Sequence, residues 1–171
     1  PIPAAPEAEA AVLGSLLIDP DAIYRVKAVL DPTDFYVPTN GQIYDAILDL
    51  YAKDAPVDMV TLRTELDRQG VGVKDSELHA LISAVPSSVH AEHYARQVRD
   101  TRAQRDAIEC GTKLVQAAYS ANGNLLDITS DTRAALSRIE GLVAKRGGSI
   151  GLHKSLNEYL TLLEYREKHK E

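Results

Sequence analysis

The sequence has no tryptophan, one cysteine, one methionine and one phenylalanine in 171 residues. Aromatic residues amount to 5%, eight of them tyrosine, so the interior must be built from Leu, Ile, Val and Ala, a palette that favours packed helices over a sandwich of sheets. A lone Cys110 supports neither an internal disulfide nor a thiolate zinc site, which excludes a disulfide-stapled secreted domain and a zinc finger and points to a reducing compartment. No apolar run approaches the roughly 20 residues needed to span a bilayer, and Pro1-Ile2-Pro3 does not open a signal peptide. The chain reads as soluble and cytoplasmic, with no membrane partner. None of the ten glycines opens a G-x-x-x-x-G-K-[ST] or a G-x-G-x-x-G motif, so no cofactor is expected in this chain.

Positive charge is scarce in the first hundred residues. They hold eight Lys+Arg against sixteen Asp+Glu, a net of −8, whereas residues 101–171 hold eleven against nine, a net of +2, within a total of −6. A surface that binds duplex DNA through phosphate neutralisation needs the opposite sign. The chain also starts without a methionine and ends in a charged, helix-like stretch from Tyr165 to Glu171, and it reads as an excised piece.

What is abundant is helical periodicity. Val12, Leu13, Leu16 and Leu17 form a stripe in a helix from Pro6 to Ile18, with Pro6 in the first turn and Glu7 and Glu9 complementing its N-terminal dipole. A second helix, capped around Asp19-Pro20-Asp21, carries Ile23, Val26, Val29 and Leu30 and ends at Asp31-Pro32. Past the turn bearing Asp34-Phe35-Tyr36, Asn40 is the expected cap of a helix with Ile43, Tyr44, Ile47, Leu48 and Tyr51 on one side. Asp58 caps the next, which places Met59, Leu62 and Leu66 together and stops at Gly70. A short segment from Glu77 to Val85 buries Leu78, Leu81 and Ile82.

Ser87 or Ser88 opens the longest helical stretch, to about Ser120. Tyr94 and Val98 pack backwards, while Arg99 to Asp106 is almost wholly polar and is expected to cross solvent. Ile108, Leu114, Val115, Ala118 and Tyr119 begin a new stripe. After the Asn122-Gly123-Asn124 turn, Ile128, Ala135, Leu136, Ile139, Leu142 and Val143 form a facing one, which makes an antiparallel hairpin. Lys145 to Gly151 has linker composition. Beyond it Leu152, Leu156, Tyr159, Leu160 and Leu163 recur at helical spacing with no later element to pack on, so this helix needs a partner's groove. The expected fold is all-α: a compact globule of five to six helices over residues 1–98, a projecting helical hairpin over 99–146, and a linker with its helix over 147–171.

No catalytic or metal-binding residues are assigned. His90-Ala91-Glu92-His93 lacks the H-E-x-x-H spacing and a third ligand, and its side chains read as solvated. Cys110, next to Glu109, reads as a small buried or half-buried residue. The carboxylates at positions 7, 9, 19, 21, 31, 34 and 58 sit at helix starts and turns, where capping accounts for nearly all of them. Arg99, Arg102 and Arg105 are a basic cluster suited to an acidic partner or a DNA backbone, with a solvated helix surface as the plainer reading.

Several segments, in order, resemble a known family. Glu7-Ala8-Glu9 with Val12-Leu13-Gly14, Asp34-Phe35-Tyr36, Ile43-Tyr44-Asp45-Ala46-Ile47-Leu48-Asp49-Leu50, Pro56-Val57-Asp58-Met59-Val60-Thr61-Leu62 and Leu66-Asp67-Arg68-Gln69-Gly70 are similar to the N-terminal domain of bacterial DnaB-type replicative DNA helicases. Leu81 to Ser87 and Tyr94 to Val98 look like that family's turn and the start of its long helix. Lys74-Asp75-Ser76-Glu77 departs from a Gly-Gly usual near the fifth helix, and the hairpin loop differs too.

The resemblance implies a collar built by pairing between subunits, as a dimer, a trimer of dimers or a hexamer. It also implies docking of primase, contact with a helicase loader, and a linker helix seated on a neighbouring motor domain. DNA, ATP and Mg2+ would be handled by that motor domain, outside this chain. On this reading Ile108, Leu114, Val115, Tyr119, Leu136, Ile139 and Val143 serve hairpin packing within or between subunits, and Leu152, Leu156, Tyr159, Leu160 and Leu163 anchor the linker helix. The alternatives are the helicase-interacting domain of a primase, against which the Asp-Phe-Tyr turn and the segment after the hairpin argue, and an unrelated small helical enzyme.

Overall fold

A computed structural model of the chain describes residues 1–85, 87–119, 130–137 and 139–141, and every regular element among them is helical. Two compact units divide at Arg105/Asp106. The first contains α1 (Pro6–Ile18), α2 (Ile23–Val26), α3 (Pro38–Ala52), α4 (Met59–Arg68), α5 (Asp75–Ser83) and the start of α6 (Ala91–Tyr119). Short 3-10 turns at Pro20–Ala22, Pro32–Asp34 and Ser88–His90 join them. Its edge falls beyond the Val98 boundary drawn from hydropathy, and the arginines described below are the reason.

The stripe Val12, Leu13 and Leu16 is fully buried. Glu9 lies on the same face, at the i, i+3, i+4, i+7 spacing, and is equally buried. It stands in the first turn of its own helix, as expected, but its hydrogen bonds go to another element. Its carboxylate accepts the backbone N–H of Tyr36 at 2.6 Å, the backbone N–H of Val37 at 3.2 Å and the side-chain amide of Asn40 at 3.0 Å, all around the start of α3. The expected Asn40 cap is thereby corrected. The helix begins three residues earlier than that cap implies, at Pro38, behind Val37, which offers no side-chain cap. A carboxylate from α1 instead holds the two residues that lead into the helix, Tyr36 and Val37, and the Asn40 side chain is its third donor.

The turn ahead of α3 is braced from the opposite polarity as well. Asp34 Oδ2 accepts the N–H of Asp31 at 2.9 Å and Asp31 Oδ1 accepts the N–H of Thr33 at 3.1 Å. Arg102 donates to the carbonyl of Thr33, and Arg105 donates to the carbonyls of Asp34 at 2.5 Å and Pro3 at 3.0 Å. The Arg105 guanidinium also lies 5.5 Å from the Tyr36 ring centre. Arg99 is only 2% exposed. The polar stretch of α6 therefore does not cross solvent. Ala91, Ala95 and Val98 form its buried stripe, and Arg102 and Arg105 continue the same spacing of fours and threes with long side chains that reach the turn.

The second expected helix is shorter than its hydropathy suggests. It closes at Val26, and the backbone tightens so that Val29 and Leu30 both donate to the Val26 carbonyl at 2.9 Å, which still buries Leu30. Ile43, Tyr44, Ile47 and Leu50 give α3 its buried face. Burial, followed by the charges of Asp31 and Asp34, pushes the Tyr44 hydroxyl well above the usual tyrosine range. Asp58 caps α4 as expected, accepting the N–H groups of Val60 and Thr61, each at 2.9 Å, and these bonds, Thr61 first, hold its carboxyl below the usual range. Leu62 and Leu66 are fully buried, and Gly70, at φ 72°, closes the helix in the left-handed region.

Two close approaches fix the packing. A Cβ on Gly14 would stand 2.0 Å from the carbonyl oxygen of Leu81, so α1 meets α5 backbone against side-chain-free backbone. A Cβ on Gly41 would stand 2.6 Å from the Pro32 carbonyl, which lets α3 start tight against the turn. Between α3 and α4, Glu65 collects Lys53 at 2.9 Å and the guanidinium of Arg68, while Gln69 bridges Glu65 and Asp49. Hydrogen bonds from Arg68 and then Lys53 pull the Glu65 carboxyl down to about 2.

Replacing Glu9 with Ala leaves the backbone amides of Tyr36 and Val37 and the Asn40 side-chain amide without their acceptor. Equilibrium urea unfolding should show a loss of roughly 1.5–3 kcal/mol, the range for hydrogen bonds to a charged group; a loss within experimental error would mean water replaces the carboxylate. The lowered Glu65 value stabilises the fold fully above the ordinary carboxylate value of 4.5, and this contribution disappears as pH falls toward about 2. The stability difference between the native chain and Glu65→Gln should therefore shrink across that window, and a constant difference from pH 6 down to pH 2 would contradict it.

Candidate protein-interaction surface

The second unit carries the part of α6 from Asp106 onward and the helical residues 130–137 and 139–141. Helical geometry divides what the sequence presented as one stripe. Ile108, Val115 and Tyr119 share a face of α6, whereas Leu114 stands about a third of a turn away, on the side of Cys110 and Ala117. Cys110, Leu114 and Ala117 line a groove of about 420 Å3 with Asp131, Thr132, Ala134 and Ala135 of the second segment. The small alanine side chains leave this space open instead of filling it. The groove's rim is charged: Lys113 pairs with Glu109 one turn back at 2.5 Å.

The other apolar side chains are uncovered. Ile108 is 54% exposed, Val115 56%, Tyr119 88% and Leu136 50%; Leu114, at 40%, is partly recessed in the groove, and Ile139 is half-buried. Val143 and the linker positions Leu152, Leu156, Tyr159, Leu160 and Leu163 lie outside the described residues. Cys110 is a half-buried thiol. Among the described residues no group of three His, Cys, Asp or Glu side chains is placed to hold a metal ion, and no helix is long and apolar enough to cross a membrane. In the His90 to His93 stretch, Glu92 pairs with Arg96 at 2.5 Å, and His93 meets the Gln97 amide at 3.2 Å.

Hydropathy located the exposed side chains but missed Glu9, Arg102 and Arg105, which set the architecture. A signal was present for each: a charged residue falling on the buried stripe of its helix, Glu9 with Val12, Leu13 and Leu16, and the arginines after Ala91, Ala95 and Val98.

The fold places the chain in the class of helical N-terminal domains of replicative helicases. It matches the crystal structure of the N-terminal domain of DnaB helicase from Mycobacterium tuberculosis with a TM-score of 0.74 and 38% identity, over 81% of this chain and 99% of that one. The chain belongs to the DnaB-like helicase N terminal domain family, whose model matches residues 2–100. The replicative DNA helicase DnaB of Mycobacterium leprae is 43% identical over 116 residues, 66% of this chain. A structure of the N-terminal domain of DnaB helicase from Helicobacter pylori, described with its interactions with primase, matches at 25% identity and a TM-score of 0.60, over 67% of this chain and 91% of that one. The chain spans 19% of the M. leprae protein and 30% of the corresponding helicase of Leifsonia xyli. Family membership favours the helicase reading over a primase domain or an unrelated enzyme.

Because Val115 and Tyr119 are both exposed, Val115→Asp and Tyr119→Ser should each leave the unfolding free energy of the single chain within about 0.5 kcal/mol. A loss above about 2 kcal/mol, measured at a dilution where the chain is monomeric, would show that these side chains are buried by their own unit.

Proposed function

We propose that this chain is the N-terminal collar and docking module of a ring-shaped replicative DNA helicase, acting through protein contacts. The observation that carries this reading is the exposure of Ile108, Val115 and Tyr119 on one face of α6 and of Leu136 on the next helical segment, in a member of this helicase family. Apolar side chains clustered on a helical surface lose most free energy to water and gain it back when a second helical surface covers them. The module pairs with copies of itself, as dimers that assemble into a trimer of dimers or a hexamer. Primase is its second partner, a reading supported by the primase interactions described for the H. pylori domain. In the parent protein, residues 99–146 form the hairpin that carries Val143, and 147–171 form the linker whose Leu152, Leu156, Tyr159, Leu160 and Leu163 seat on a neighbouring subunit. ATP, Mg2+ and single-stranded DNA belong to the parent's motor domain, with a loader as a further contact, and the setting is the cytoplasm.

Sedimentation of the chain at micromolar concentration should show dimers or larger rings, and Val115→Asp with Leu136→Asp should shift it to monomers while circular dichroism stays helical. A native chain that remains monomeric at high concentration would overturn the collar assignment.

A further inference from the structure

A second groove lies wholly within the first unit. Pro20, Asp21 and Tyr24 form one wall and Tyr51, Asp54 and Pro56 the other, around about 440 Å3, a size met in ligand and peptide sites. Tyr24 is 59% exposed, and its ring meets that of Tyr51 edge-on, with centres 5.3 Å apart. The Lys27 ammonium lies 5.1 Å from the Tyr24 ring centre and 4.8 Å from that of Tyr51, so this pair of rings already receives a cation. Asp21 and Asp54 are exposed, and neither forms an ion pair with a described residue. Asp54 also adopts φ 52°, the left-handed conformation that glycine takes with least strain at the end of a helix. A carboxylate thus stands beside the groove at a position where backbone geometry alone favours glycine. The Tyr51 hydroxyl, pushed up to about 12 by its hydrogen bond with Tyr24, then by burial and the charges of Tyr24, Asp21 and Asp54, stays a neutral donor at neutral pH.

We propose that this groove docks an extended peptide segment of a partner protein in which arginine stands next to proline. Proline rings pack on tyrosine faces in aromatic-lined grooves. The guanidinium takes the seat that Lys27 holds over Tyr24 and Tyr51 and pairs with Asp21 and Asp54, which suits its planar fork better than an ammonium. The net charge of −6 over residues 1–105, ten Lys+Arg against sixteen Asp+Glu, draws basic segments to this unit and repels acidic ones. Lys27 acts as an internal placeholder that the incoming arginine displaces.

The test is fluorescence anisotropy with the full chain and a short labelled peptide of alternating proline and arginine, beside the same peptide with glutamine in place of arginine. Saturable, salt-sensitive binding is expected for the arginine peptide, with amide NMR shifts at Ala55 and Val57. Asp21→Asn with Asp54→Asn should weaken it roughly tenfold, and Lys27→Ala should strengthen it roughly threefold by removing the competitor. A gain of affinity cannot arise from a misfolded variant. Equal binding of the glutamine peptide, indifference to the aspartate changes, or no gain from Lys27→Ala would overturn the proposal. So would concentration-dependent shifts at Ala55 and Val57 without peptide, which would make the groove a contact between copies of this chain.

Discussion

A carboxylate sealed from solvent sets the geometry of the first unit. The first amides of a helix have no partners within it, and those at the start of α3 have no capping side chain of their own. Glu9, from α1, instead holds the backbone that enters the helix, accepting the N–H groups of Tyr36 and Val37 and the side-chain amide of Asn40. The bond fixes more than a helix end. It sets the distance between α1 and α3, and with it the packing of Val12, Leu13 and Leu16 against the buried face of α3.

The turn between Asp31 and Val37 is therefore sorted by polarity. Its later N–H groups point to a carboxylate, and its carbonyls at Thr33 and Asp34 point to guanidinium groups from α6. A loop satisfied in this way has little reason to exchange its partners for water. Gly41 completes the arrangement, because no side chain intervenes between α3 and the Pro32 carbonyl. Charged residues here act as connectors between elements, while the apolar side chains of the same helices fill the interior.

Most of the helices could be read from the sequence because caps and stripes are local signals. Pro6, Asp58 and Gly70 mark ends by their own backbone chemistry, and the 3.6-residue period of Leu62 and Leu66 needs no tertiary information. Glu9 and the arginines of α6 could not be placed this way, since a charge on a buried stripe has meaning only once its partner in another element is known. The same limit applied to the interaction surface. Leu114 and Val115 are neighbours in hydropathy, yet a helical twist of about 100° per residue sends one into a groove and leaves the other in water. Family resemblance supplied what periodicity lacked, a reason for exposed apolar side chains on a chain of otherwise ordinary composition.

The sequence separations within this network impose an order of assembly. Glu9 finds its donors 27, 28 and 31 residues away, a loop short enough to close as soon as α3 has formed. Arg102 and Arg105 reach the same turn across 69 and 71 residues, and Arg105 reaches Pro3 across 102. On a chain emerging from the ribosome, α1, the turn and α3 can thus settle while their carbonyls still wait for α6. The long helix therefore closes the first unit last, although it is the element that leads out of it.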